Sequence, residues 1–332
     1  MNPPKCSDDD YINFVIATPR SVSATEAAKV QGDEEQAPAH DAFTRLLHRL
    51  EPDAESLWGE AKPQVSLTRG ILVIDDSTLD KPYARKMELV TRHWSGKHHA
   101  VVSGINLITL LWTDGDRHVP VDYRVFDKKK DALTKNDHFQ AMLREAHARG
   151  FEPACVAFDS WYSGLENLKL IRSFGWMWLT RLKSNRRVNP DREGLRAVSE
   201  VEIGEAGRVV WLEGYGLVRI FKIVATDGDI DYWATNDLSM NDLTRLRFAE
   251  NAWHIETYHR GIKQFCGIEK SQARLARTQR NHIGLALRAF LRLEAYCFYH
   301  GLSWFEAKLA IVRRAVAAYL AHPWYTLPGP TA

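Results

Sequence analysis

Val73-Ile74-Asp75-Asp76-Ser77-Thr78-Leu79-Asp80-Lys81-Pro82, VIDDSTLDKP, begins on the last residue of the apolar run GILV (70–73) and sets two carboxylates side by side where that run ends. Four consecutive apolar or small residues bounded by turn formers read as a strand buried on both faces. Such a strand has little reason to end on paired acids unless they do something. Asp followed by Ser-Thr favours a side-chain-closed turn, and that reading suits Asp75. A metal ligand is the other reading, and the rest of the chain favours it for Asp76.

Working outward, KMELVTRHW (86–94), AVVSGINLITLLW (100–112) and RHVPVDYRVFD (117–127) read as further extended segments. KNDHFQAMLREAHARG (135–150) reads as a helix that starts at Asn136 or Asp137 and stops at Gly150. ACVAFDSWYSG is a short apolar run ending on Asp159. A helix (164–175) and another strand, WMWLTRL, follow it. Strands followed by alternating helix and strand predict a mixed α/β sheet with flanking helices. Residues 184–237 interrupt this order with alternating, glycine-punctuated segments expected to be antiparallel strands. Long helical stretches fill the remainder, with 283–301 and 303–322 expected to be amphipathic to fully buried. Residues 1–66 read as a small helical unit. The expected divisions are therefore 1–66, a core from 67 to 183, an insertion at 184–237, a return to the core at 238–300, and a C-terminal helix and tail at 301–332.

Composition bounds the function. Of 332 residues, 45% are hydrophobic and 26% charged, ordinary for a globular protein. The net charge of +2 identifies no partner, but its distribution is uneven. Residues 1–60 hold 5 Lys/Arg against 12 Asp/Glu, and residues 240–292 hold 10 against 4. The basic segment points to a polyanion. Four scattered cysteines, without a CxxC, argue against a disulfide framework and a structural zinc site. No signal-like N-terminus and no long apolar run is present, so a cytoplasmic location is expected.

Three acids stand out: Asp76, Asp159 at the next strand end, and Glu256 within WHIETYHRGIK. In open α/β sheets functional groups gather at the carboxyl ends of strands. Mg²⁺ prefers oxygen ligands and is held by a few carboxylates plus phosphate. Two such ions stabilise the attacking and leaving oxygens of an in-line phosphoryl displacement. For Asp159, the rival reading is a cap on the following helix, for which Ser163 is better placed. Glu256, Arg260 and Lys263 share one helix face, where the bland reading is a surface ion pair of about 0.3–0.5 kcal/mol. His98, His99, His118, His138, His254 and His259 form no HExxH spacing and read as structural or surface groups.

VIDDSTLDK, VAFDSWYSG and AWHIETYHRGIKQFCGIE, with YWATND before the last, together resemble the three acidic motifs of the DDE transposases of bacterial insertion sequences. The similarity spans about residues 70–295. It implies an RNase H-like mixed sheet with flanking helices, a β-strand insertion before the glutamate helix, and a small helical N-terminal unit. It also implies metal-dependent cleavage at element ends and strand transfer into target DNA. Carried over, Asp76, Asp159 and Glu256 are the ligands of Mg²⁺ or Mn²⁺, two ions in all, and Asp75 is not. Double-stranded DNA and a homodimer on paired ends are the implied partners, and the nucleoid the implied place. Lys263 matches a Tyr-x2-Arg-x3-Glu-x6-Lys signature of related families, whereas Ala249 and Ala252 stand where its Tyr and Arg belong. Arg260, Lys263, Arg181, Lys183, Arg186 and Arg187 are the expected DNA contacts, with Lys270, Arg274, Arg277 and Arg280 as further candidates. Trp161 either packs in the core or stacks on an unpaired base. The rivals are a nuclease of the same fold without strand transfer, a DNA-binding protein without catalysis, and a glycosidase built on paired carboxylates.

Overall fold

A computed structural model describes residues 4–19, 22–32, 37–95, 99–128 and 130–325. The chain divides into two compact units, 1–52 with 261–332, and 53–260. The second boundary falls inside a helix. Both differ from the sequence expectation, in which residues 1–66 stand as one unit.

The helical unit holds α1 (Asp8–Ala17), α2 (Ala24–Lys29) and α3 (His40–Arg49) from the N-terminal part. α1 starts on a capping box in which Ser7 and Asp10 exchange hydrogen bonds. The unit's core brings Tyr11, Ile12, Phe43 and Leu46 together with residues of a long C-terminal helix such as Phe290, all buried. Its surface settles much of the charge asymmetry. Arg288 pairs with Asp8 at 2.6 Å, Arg292 with Asp9 at 2.8 Å, and Arg277 with Glu51. Part of the basic segment is thus neutralised by the acidic one, and Arg277, expected to face phosphate, is engaged inside the protein.

The sheet unit opens with α4 (Glu55–Ala61) and then β1 (Ile71–Asp80), β2 (Thr91–Ser95), β3 (Ala100–Thr113) and β4 (Val119–Phe126). α5 (Lys135–Ala148), β5 (Cys155–Phe158), α6 (Leu165–Ser173) and β6 (Trp178–Leu182) follow. The inserted strands are β7 (Arg187–Asn189), β8 (Arg196–Ala197), β9 (Arg208–Leu212), β10 (Gly216–Val224) and β11 (Ile230–Thr235). Among the described residues all eleven strands form one sheet, ordered β2-β3-β1-β5-β6-β11-β10-β9-β7-β8, with β4 also on β3. β1, β5 and β6 run parallel at its centre, and the insertion extends it through the antiparallel pair β11–β6.

Several local expectations are corrected. β1 does not stop at the acids but pairs with β3 as far as Asp80. Its neighbour β5 is the strand that stops, pairing only with Ile71–Ile74. KMELV is not a strand: β2 begins at Thr91, and Leu89 takes a φ of 68° that breaks extended geometry. α5 is capped by Thr134, in a box with Asp137.

α7 (Asp242–Phe265) starts in the sheet unit, and its last turn belongs to the helical one. There Gly261 has a packing reason: an added Cβ would meet Trp304 at 2.7 Å and Phe290 at 2.8 Å. α8 (Ala276–His300) is buried along one face, as its apolar spacing predicts. α9 (Trp304–Ala321), expected to be buried, keeps only Ala307 buried. No helix among the described residues is long and apolar enough to cross a membrane.

Candidate active site

Alternation along β1 sends Asp75 and Asp76 to opposite faces. Register then decides which aspartate meets Asp159. Ile74 lies opposite Phe158 in the parallel pair, so the next residues, Asp75 and Asp159, correspond just beyond the last rung. Asp75, Asp159 and Glu256 line one cleft of about 250 Å³, with Arg181, Trp233 and Trp253 around them. Asp76 is absent from that lining. Its carboxylate accepts from Lys135 Nζ at 2.7 Å, Asn106 Nδ2 at 2.6 Å and the Tyr162 hydroxyl at 2.9 Å. The geometry thus parts from the sequence expectation at this pair: the acid that joins the other two is Asp75.

The electrostatics follow the same division. Burial, then the charges of Asp76, Asp159 and Glu256, pushes the Asp75 carboxyl well above the usual carboxylate range. Burial and the Asp76 charge also raise Asp159. Burial alone would raise Asp76 too, but the Lys135 ammonium and the three hydrogen bonds outweigh it and hold the carboxyl low. Tyr162, stacked on Phe139 at 5.0 Å, is in turn raised by burial and by Asp76. One acid of the pair is therefore anchored and the other is crowded by like charge.

Asp159 also caps the short turn Ser160–Tyr162, its Oδ1 accepting from Trp161 N at 2.9 Å. Ser163, the expected cap of α6, instead donates to Ser160 O, and α6 starts at Gly164 without a side-chain cap. Glu256 is exposed on α7 while Ile255 beside it is buried. His259, three residues on, brings a further donor. Ligand atoms of Asp75, Glu256 and His259 all lie within 4.8 Å of one another. The sequence reading set His259 aside. The available signal was the Glu-x2-His spacing, which puts both side chains on one helix face.

The donor set fits a hard divalent cation. Carboxylate oxygens from two strands and a helix converge, and Asp75 is strained by like charges that a cation would relieve.

The expected DNA contacts are spread over separate places. Trp161 is 59% exposed, which excludes core packing, and Lys135 and Lys183 stand 6.0 and 5.8 Å from its ring. With Lys183, Asn185, Arg186 and Arg187 it lines a second cleft, of about 470 Å³. Arg186 Nη2 is buried there without a hydrogen-bond partner among the described residues. Arg181 lies at the carboxylate cleft, 3.4 Å from Asp231 and over Trp233. Arg260 is exposed on α7. Lys263 belongs to the helical unit, where it pairs with Glu269 at 3.4 Å. Trp253 is 66% exposed. His98 lies outside the described residues.

Comparison with known proteins agrees with this architecture. The family model "DDE superfamily endonuclease" matches residues 16–211, and that of "Archaeal putative transposase ISC1217" matches residues 126–303. No curated protein matches. Among solved structures, a piggyBac transposase synaptic complex with hairpin DNA aligns over 100% of this chain and 79% of its own, at 11% identity and a TM-score of 0.50. That likeness concerns the fold. The Mos1 strand transfer complex aligns over 53% of this chain and 58% of its own, at 10% identity and a TM-score of 0.20, too low to add weight. Each family match covers more than half of the sequence, and the chain accordingly belongs to the DDE superfamily of endonucleases, as a DNA transposase.

Proposed function

We propose that this transposase cuts DNA at the ends of its own element and joins the freed 3′-hydroxyl to target DNA at a centre held by Asp75, Asp159 and Glu256. Asp75 replaces Asp76 in the ligand set inferred from sequence. The observation that carries the reading is the meeting of these three carboxylates, from β1, the end of β5 and α7, in one cleft. Two divalent ions, Mg²⁺ or Mn²⁺, would supply charge neutralisation and water activation for in-line phosphoryl transfer. The protein's own part is positioning. β1 and β5 fix the two aspartates by register, and α7 brings the glutamate. Lys135, Asn106 and Tyr162 tie down Asp76, whose charge bears on Asp159.

The substrate is double-stranded DNA at the element's terminal repeats and at the target, in the cytoplasm. Lys183, Arg186 and Arg187 track the phosphate backbone, and Trp161 stacks on an unpaired base between them. Arg181, Arg260 and Lys263 supply further cationic contacts. Concerted cutting of two ends calls for a homodimer on paired DNA.

Incubation with labelled element ends, target plasmid and Mg²⁺ tests the assignment. Asp75→Asn, Asp159→Asn and Glu256→Gln are expected to lose cleavage by at least about 10²–10³-fold while still binding DNA. Asp76→Asn should lose roughly 10–100-fold, as an outer-shell change does. Full loss in Asp76→Asn with cleavage retained in Asp75→Asn would return the ligand role to Asp76. Cleavage without joining to the plasmid would reduce the protein to a nuclease.

A further inference from the structure

His259 is 4% exposed, and its ring leans on Tyr258 at 5.4 Å between centroids. Its Nδ1 stands 3.9 Å from Asp75 Oδ2. That is too long for a hydrogen bond but suits a shared ion, since two donors each about 2.1 Å from one cation stand at most about 4.2 Å apart. Glu256 approaches from the same helix face, and the three ligand atoms lie within 4.8 Å of one another, so a small inward turn of the exposed Glu256 side chain brings all three within reach of one ion. Three carboxylates alone make an all-oxygen centre. A buried imidazole beside two of them changes the chemistry of that part of the site.

We propose that His259 supplies a nitrogen ligand to the ion held by Asp75 and Glu256, so that one of the two metal positions is mixed nitrogen–oxygen and the other all-oxygen. The inference rests on the metal-centre reading above. Imidazole suits transition metals, whereas carboxylate and water suit Mg²⁺. The mixed position therefore favours Mn²⁺ over Mg²⁺, and the all-oxygen position discriminates less.

Pulsed electron paramagnetic resonance on the full chain loaded with Mn²⁺ reads the ligand directly. The expected result is a nitrogen coupling on bound Mn²⁺ that changes from the ¹⁴N to the ¹⁵N pattern when the protein is made with ¹⁵N-histidine. The coupling should vanish in His259→Gln. That variant should weaken Mn²⁺ by at least roughly 10–100-fold, the loss that even outer-shell changes bring, and Mg²⁺ by less. Labelled wild-type protein gives the answer even if the variant misfolds. Mn²⁺ that binds in an Asp75-dependent way without nitrogen coupling, or with coupling that survives His259→Gln, would overturn the inference and leave the metal centre standing. Failure of Asp75→Asn to alter Mn²⁺ binding would overturn both.

Discussion

At Asp75, burial and three neighbouring acids act in one direction, while next to it Lys135 reverses the effect of burial on Asp76. The two residues consequently bear on stability with opposite signs. The folded protein holds a proton on Asp75 more tightly than the unfolded chain does. Its contribution is complete below the ordinary carboxylate range, about pH 4, and is lost as pH rises through the raised value. Asp75→Asn should therefore raise the melting temperature of metal-free protein at neutral pH and flatten its decline with pH. Calorimetry in EDTA checks this, and an unchanged or lower value would contradict it. Asp76, held low, contributes above the ordinary range and loses that contribution as pH falls through its depressed value, so Asp76→Asn should lower the neutral-pH melting temperature. The sequence made both aspartates conspicuous and its reading chose Asp76, whereas the cleft takes Asp75. Alternation says only that they face apart. Which face meets Asp159 depends on the register of β5, whose paired residues lie 84 positions away in the sequence and leave no local mark.

Among elements, the most legible were those whose pattern is set by their own burial. α5 and the inserted hairpins follow their periodicity, and β3 is buried on both faces along its apolar run. α9 was misread because an apolar spacing states what a helix could bury, not whether a neighbour is there to cover it. Its exposed Ile311, Val312, Val316 and Leu320 make the point. α7 carries a test of packing against propensity. In an exposed helix interior, Gly→Ala stabilises by roughly 0.5–1 kcal/mol. At Gly261 the added methyl would press on Trp304 and Phe290. Gly261→Ala should therefore destabilise, by about 1–3 kcal/mol as overpacking does, measured by urea unfolding.

For the whole molecule, uneven charge points to a nucleic-acid partner, but part of the basic segment is already paired within the chain. Net charge along a segment does not say whether the opposite charge waits in DNA or elsewhere in the chain, and here Asp8, Asp9 and Glu51 claim Arg288, Arg292 and Arg277. The cations beside Trp161 are the better candidates. Neutralising Lys183, Arg186 and Arg187 one at a time should flatten the plot of log affinity against log salt by about one unit for each lost phosphate contact. Arg288→Gln should leave that slope unchanged and lower stability, the pattern of an internal pair. Equal slopes in all four variants would remove the DNA role from the Trp161 cleft.

β1 outruns β5 but never leaves β3. Lys81 N–H donates to Ser103 O at 2.9 Å, and in phase with it the amides of Asp75, Ser77 and Leu79 also turn toward β3. The side chains of the first acidic motif can thus meet solvent and substrate while their main chain stays locked. In deuterium these three amides should be among the slowest to exchange, opening only when the entire sheet does. The reacting groups would then ride on one of the most rigid segments of the protein, with little conformational entropy left to lose when DNA arrives.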